Sequence, residues 1–125
     1  MIAVSFNGTE EELSSIEAFG VALDRYDGFA RFEVWLSRGL EGPSICMLRN
    51  GENAFLMYLR FPGDSGFVSA GGLAAQSQVE YTLSNGQVDS YPCSWCIPVE
   101  QCYKALAYFF VNDGQRPEWL AWHES

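Results

Sequence analysis

The fold is decided at residues 44–61, whose sequence is SICMLRNGENAFLMYLRF. Two apolar runs flank Asn50-Gly51, and this arrangement predicts a β-hairpin because a type I′ turn needs two residues that tolerate positive φ. The second run, residues 54–59, is apolar at every position, which is typical of a strand buried on both faces. The stretch therefore predicts two adjacent strands at the centre of a sheet.

Further strands are predicted on both sides of this hairpin. Upstream, residues 30–37 alternate between apolar and other side chains, which predicts a half-buried strand. Downstream, residues 62–66 form a turn before a short strand at 67–70, and residues 78–83 and 87–91 flank a second Asn-Gly turn. The pattern predicts about six strands in a largely antiparallel meander, with a short last strand within residues 116–124.

Helices are predicted on either side of this meander. Thr9 followed by Glu12 has the spacing of a capping box, and an apolar stripe begins just after it, so the first helix is expected from about Glu10 to Tyr26. Pro98 marks the start of the second helix, because the N–H that proline lacks is not needed there. Together these elements predict an α+β fold in one domain over residues 1–125, with both helices on one face of the sheet.

The charge of the chain limits its partners. The 125 residues carry 16 acidic and 7 basic side chains, a net charge of −9. This charge disfavours direct binding to nucleic acid or to an anionic membrane, and it favours a basic protein partner. The first residues show no signal-peptide pattern and the apolar runs are too short to span a bilayer, so we expect a cytoplasmic protein without disulfides.

The cysteines are the first candidates for chemistry. Cys93-x-x-Cys96 has the spacing of a zinc half-site or a redox pair, and Cys102 and His123 could complete a Cys₃His site. However, Cys102 falls on the apolar stripe of the second helix, and the Cys-x-x-Cys pair does not begin a helix as a thioredoxin-like pair would. The sequence therefore predicts packing cysteines without a metal or cofactor, and a small Cys/His metal-binding protein is an alternative.

No residue set predicts catalysis. His123 is the single histidine and lies close to the end of the chain, where it is poorly placed to activate a nucleophile. The glycines at 63, 66, 71 and 72 do not form a phosphate loop, because no lysine follows them. Nothing distinguishes one pair of carboxylates as an acid–base pair, and Glu10-Glu11-Glu12 is explained as a solvated helix start. We therefore expect a protein that is not an enzyme.

Acidic and aromatic side chains recur together on the predicted strands. This combination suits the docking of a basic protein, since aromatic residues anchor an interface and acidic residues steer the partner. The candidates on strands are Glu33 and Trp35 in one and Glu80, Asp89 and Tyr91 in the second hairpin, and Trp95 follows. The alternative is that Trp35 and Tyr91 are buried under the second helix or the C-terminal tail.

Four segments from the middle of the chain onward resemble a known family. They are GDSGFVSAGG at 63–72, SNGQVDSYP at 84–92, IPVEQ at 97–101 and RPEWLAWHE at 116–124. In this order they resemble immunity family 1 of bacterial polymorphic-toxin systems, from about Asn53 to the C terminus. The Cys-x-x-Cys pair departs from the pattern of that family. Asp64, in the first segment, joins the candidate contacts.

The resemblance implies inhibition by binding. Immunity proteins of this kind neutralise a cognate toxin domain in the cytoplasm of the producing cell, and many partners are nucleic-acid deaminases that use a zinc-activated water. We therefore interpret the chain as an immunity protein against a basic toxin, a cytosine deaminase, whose active site or substrate groove it occludes. Any zinc would then belong to the toxin. An acidic adaptor or chaperone for a secreted effector is the alternative from another class.

Overall fold

The structure is a computed structural model that describes residues 2–71 and 77–124. The strands and helices follow one another along the chain, with a single 3₁₀ turn at Cys93–Trp95. They are β1 (Ile2–Phe6), β2 (Thr9–Glu11), α1 (Ile16–Asp27), β3 (Arg31–Arg38), β4 (Ser44–Asn50), β5 (Asn53–Leu59), β6 (Phe67–Ser69), β7 (Gln78–Thr82), β8 (Val88–Pro92), α2 (Val99–Val111) and β9 (Trp122–Glu124).

Seven strands form one antiparallel sheet in the order β2-β1-β3-β4-β5-β6-β9, while β7 and β8 pair only with each other. The prediction of an α+β fold is confirmed, with more strands than the six expected. The β4–β5 hairpin is confirmed, but its turn differs. Asn50 pairs with Asn53, so the turn residues are Gly51 and Glu52, and of these only Gly51 has positive φ, at 62°. The type I′ turn predicted at Asn50-Gly51 is therefore wrong.

Both helices pack against one face of the sheet. Phe19 of α1 and Leu106 and Phe109 of α2 are fully buried against the apolar side chains that alternate along β1, β3, β4 and β5. The rings of Phe19 and Phe110 stack with their centroids 5.1 Å apart and join the two helices. This layer is the larger part of the core, as the apolar periodicity of both helices predicts.

The opposite face of the sheet is covered by the β7–β8 ribbon. Cys46, Leu48 and Phe55 from the sheet and Tyr81 from β7 form a second buried cluster on that face. This explains why residues 54–59 are apolar at every position, since one set of side chains faces the helices and the other faces the ribbon. The protein thus has three layers, with the sheet in the middle.

The first helix begins later than the sequence predicts. Asn7 and Gly8 have positive φ, at 49° and 84°, and turn the chain back so that Thr9–Glu11 pairs with β1 as an edge strand. The capping box assigned to Thr9 and Glu12 is therefore wrong. Ser15 is the true N-cap, because its hydroxyl accepts a hydrogen bond from the Ala18 N–H at 3.1 Å. The second helix follows Pro98 directly, as predicted.

The C-terminal strand β9 is the edge strand next to β6. β9 pairs with β6 in antiparallel register, and Ser69 lies opposite Trp122, which confirms the predicted last strand. Among residues 2–71 and 77–124, no helix has the length and apolar composition needed to cross a membrane.

Candidate functional site

The three aromatic residues predicted to contact a partner all pack on the buried cluster that contains Phe55. The Phe55 ring centroid lies 5.1 Å from that of Tyr91 and 5.5 Å from that of Trp95, and Tyr91 and Trp95 are 5.7 Å apart. Trp35 packs on the same cluster from β3, opposite Cys46. We call Trp35, Tyr91 and Trp95 the aromatic border. All three are half-buried, so each packs on the core and still offers part of its ring to solvent.

Beyond the aromatic border, the same face of the sheet carries three small side chains and one leucine. Ala3, Ser37, Ser44 and Leu59 pair in register across β1, β3, β4 and β5, one row away from Trp35. Ala3 is exposed and the other three are half-exposed, in contrast to the buried residues under the ribbon. The ribbon thus covers one part of this face, and the neighbouring part is open to a partner that can approach the sheet closely.

Trp95 is held in place by the segment that contains β6. The Ser69 hydroxyl donates a hydrogen bond to the Trp95 carbonyl at 2.8 Å and accepts one from the Leu56 N–H at 2.9 Å. A Cβ atom at Gly71 would lie 1.8 Å from the Cys96 carbonyl oxygen, so only glycine permits this approach. Ser69 and Gly71 therefore dock the 3₁₀ turn onto the sheet.

Glu33 is a largely internal residue that anchors the ribbon. Its side chain accepts a hydrogen bond from the Ser84 N–H at 3.1 Å, and the residue is only 8% exposed. A second anchor joins the Asn50 side-chain amide to the Glu80 carbonyl at 2.8 Å. Glu33 thus lies close to the candidate surface, but most of its carboxylate is used within the protein.

Glu80 and Asp89 lie on opposite faces of the ribbon. Glu80 pairs with Ser90 and faces outward, whereas Asp89 pairs with the buried Tyr81 and lies on the inner face with Tyr91. Asp89 accepts hydrogen bonds from the Gln87 amide at 2.9 Å and from the Tyr91 hydroxyl at 3.5 Å. Burial raises the pKa of Tyr91, and the neighbouring negative charge of Asp89 raises it further. Asp89 therefore adjoins the aromatic border, and Glu80 presents its charge on the other side of the ribbon.

Asp64 lies elsewhere, in the turn between β5 and β6. Its carboxylate accepts two hydrogen bonds from the Arg60 guanidinium, at 2.8 and 2.9 Å, and one from the Arg60 N–H at 3.0 Å. These bonds hold the pKa of Asp64 well below its usual range. The Asp64 side chain is 2% exposed. Asp64 thus closes the turn, and the structure does not place it among the residues packed at the aromatic border.

A protein-family model described as Immunity protein Imm1 matches residues 8–124. The chain belongs to this family. It is a bacterial toxin immunity protein, which confirms the resemblance seen in the sequence. The match begins in the turn between β1 and β2, so it includes β2 and the first helix as well as the four segments that carried the resemblance. No curated protein matches the chain.

The four cysteines of this Imm1 protein are all free thiols. Cys102 lies in the core on the helix side, Cys96 Sγ is 3.3 Å from the Tyr81 hydroxyl oxygen, and His123 pairs with Val68 on β9. In the described part of the chain, no three His, Cys, Asp or Glu side chains are grouped so that they could hold a metal ion. The alternative site formed by Cys93, Cys96, Cys102 and His123 is therefore not assembled.

Burial also makes the internal thiols poor nucleophiles. It raises the pKa of Cys96 and of Cys102, and it raises that of Cys46 well above the ordinary value for a thiol. A thiolate is the species that attacks a disulfide or binds a metal, so a raised pKa disfavours both reactions. Cys46 and Cys102 pack as small apolar residues in the two buried clusters, and the half-buried Cys96 contacts the Tyr81 hydroxyl.

A groove that the sequence does not predict lies beside β2, at one edge of the sheet. Two adjoining cavities of about 450 and 350 Å³ share Ile2, Leu13 and Ser14 as lining residues. The run Glu10-Glu11-Glu12, whose pattern predicts the start of a helix, lies on this groove.

Proposed function

We propose that this Imm1 protein is a non-catalytic inhibitor that binds a cognate toxin domain, and that the toxin is a basic cytosine deaminase acting on nucleic acid. The observation that carries the proposal is the family match over residues 8–124. The net charge of −9 supports a basic partner, because an enzyme that binds a polyanionic substrate benefits from a positively charged surface. We further propose that residues 1–125 act as one binding domain in the cytoplasm of the toxin producer.

Inhibition by occlusion requires no chemistry from the immunity protein. A nucleic-acid deaminase takes its target base into a pocket where a zinc-activated water attacks the ring. A protein that fills the mouth of this pocket, or covers the groove that holds the nucleic-acid strand, prevents the base from reaching the water. The zinc in this scheme is bound by the toxin.

The aromatic border is our proposed centre of the contact. Tryptophan and tyrosine are enriched among residues that dominate binding energy, and Trp35, Tyr91 and Trp95 are positioned by packing on the second buried cluster. Asp89 stands beside Tyr91 and can meet a basic group of the toxin. Glu80 contributes charge from the outer face of the ribbon. Glu33 and Asp64 support the contact surface indirectly, since Glu33 holds the ribbon and Asp64 holds the β5–β6 turn.

The proposal is tested by co-expressing this protein with the toxin domain encoded beside it. We expect the wild type to restore bacterial growth and to stop deamination of single-stranded nucleic acid by the purified toxin. A dissociation constant of about a nanomolar or less is expected, equivalent to roughly −12 kcal/mol. If no complex forms and growth is not restored, the proposal is wrong.

The position of the contact is tested separately. Single alanine substitutions of Trp35, Tyr91 and Trp95 are each expected to weaken binding by about 2 kcal/mol. Trp119, which is exposed and outside the second buried cluster, provides a matched Trp→Ala control. Circular dichroism must show that each variant is folded. If all three border variants bind the toxin as tightly as the wild type, the toxin contacts another surface, and the proposed inhibitory function still holds.

A further inference from the structure

The groove beside β2 combines an apolar floor with an acidic rim. Ile2 and Leu13 belong to both cavities, and Phe110 and Val111 extend the floor along the C-terminal turn of α2. Val111 is 62% exposed, which is a high value for a valine beside the main core. The combined size of the two cavities is in the range of sites that bind ligands or the anchoring side chains of a partner.

The rim carries four carboxylates, of which two are free of ion pairs. Glu11 pairs with Arg25 at 2.7 Å, and Asp113 lies 3.8 Å from Arg38. Glu10 and Glu12 also line the groove, both are exposed, and neither forms an ion pair within residues 2–71 and 77–124. A cation that entered the groove would therefore meet two negative charges that have no competing partner.

A purely protective role accounts for only part of this arrangement. Charged residues on an edge strand prevent it from pairing with strands of other molecules, and β2 is such an edge strand. That role requires charge along the strand, but it does not require an adjoining cavity or an exposed valine. The exposed apolar floor is explained when a partner covers it, since burying apolar surface is the main favourable contribution to association.

We propose that this groove binds a basic, amphipathic segment of the toxin, in which one apolar side chain fills the cavity and lysine or arginine side chains pair with Glu10 and Glu12. The inference rests on the proposed toxin-neutralising function and adds a second point of contact to it. A second copy of this chain is a poor occupant, because each copy carries the same acidic rim and a net charge of −9.

The groove and the aromatic border are close enough for one partner to reach both. Trp35 of β3 pairs with Ser5 of β1, and Ser5 pairs with Glu10 of β2. Residues paired in register share a face of the sheet, so Glu10 lies on the same face as Trp35, two strand spacings or about 10 Å away. A toxin segment that passes over the free edge of β2 can enter the groove while the body of the toxin covers the border.

The charge of the rim is tested with the Glu10→Lys/Glu12→Lys variant and the purified toxin domain. Both glutamates are exposed and unpaired in the described structure, so the fold should persist. We expect the affinity to fall by about thirtyfold or more, as for a binding hot spot. Glu52→Lys/Glu100→Lys is the matched control, since it makes the same change of charge at two exposed positions that do not line the groove. It should change the affinity by no more than about threefold.

The cavity is tested by filling it. Ser14 is exposed and lines both cavities, so Ser14→Trp should obstruct the groove without a change of charge, and we expect about tenfold weaker binding. Val21→Trp on the exposed side of α1 is the control. Equal affinities in the groove variants and their controls overturn the inference. If the wild type forms a dimer and Ser14→Trp dissociates that dimer, the groove binds a second copy of this chain, and the inference is also overturned. If the wild type does not bind the toxin at all, the proposed function fails, and this occupant fails with it.

Discussion

Replacing Phe55 by alanine is expected to weaken the attachment of the ribbon to the sheet and, through it, the binding of the toxin. Phe55 is fully buried, and truncation of such a phenylalanine costs about 3–5 kcal/mol. The ring also contacts Tyr81, Tyr91 and Trp95 at centroid distances of 5.1, 5.1 and 5.5 Å, and aromatic pairs contribute about 0.5–1.5 kcal/mol each. We therefore expect a loss at the upper end of this range, about 4–5 kcal/mol in the free energy of unfolding.

The matched control is Phe109→Ala on the opposite face of the sheet. Phe109 is also fully buried, and its T-shaped contact with Tyr58 lies on the helix side. Urea unfolding followed by circular dichroism measures the stability of both variants, and calorimetry measures toxin affinity at a temperature where both are folded. Phe55→Ala should lose at least about tenfold in affinity, because Tyr91 and Trp95 of the aromatic border pack on Phe55, whereas Phe109→Ala should lose little. A stability loss below about 1 kcal/mol, or equal affinities in the two variants, would refute this reasoning.

Three further predictions concern single features of the structure. Ser15→Ala should lower the free energy of unfolding by about 1 kcal/mol because it removes the N-cap of α1, while Thr9→Ala should cost less than about 0.5 kcal/mol; urea unfolding compares the two. The lowered pKa of Asp64 stabilises the fold above the pKa of the unfolded carboxyl, about 4, and this contribution is lost as pH falls through the lower folded pKa. Asp64→Asn should therefore remove part of the acid dependence in thermal unfolding from about pH 5 to pH 2, and an unchanged slope would contradict the assignment. If the acidic surface steers a basic toxin, the association rate should fall with added salt, and Glu80→Lys/Asp89→Lys should slow association about tenfold in stopped-flow or biosensor measurements. A rate that is independent of salt would exclude steering.

The elements with strong local signals are predicted from the sequence. The existence of the β4–β5 hairpin follows from Asn50-Gly51 between two apolar runs, although its turn lies one residue later, at Gly51 and Glu52. The second helix follows from Pro98 and a regular apolar stripe, because helix initiation depends on residues close together in the chain. The family is also visible in short segments. The role of one of them becomes clear in three dimensions, where Gly71 lets the 3₁₀ turn approach the sheet so closely that no other residue fits.

The start of the first helix shows where local reasoning fails. Thr9 and Glu12 have the spacing of a capping box, but positive φ at Asn7 and Gly8 folds the same residues onto β1. Hydrogen bonds between strands outweigh a weak local preference for a helix. The pattern of Glu10-Glu11-Glu12 therefore predicts a helix start, and it does not predict the groove that these residues line.

The candidate surface depended most on tertiary structure. Alternation along a strand tells which side chains share a face of that strand. It does not tell what covers that face, because the covering layer is chosen by contacts between residues far apart in the chain. Only the folded protein places the β7–β8 ribbon opposite the helices and brings Trp35, Tyr91 and Trp95 onto the second buried cluster. Likewise, only the pairing of Glu80 with Ser90 and of Asp89 with Tyr81 separates those two acids onto opposite faces of the ribbon.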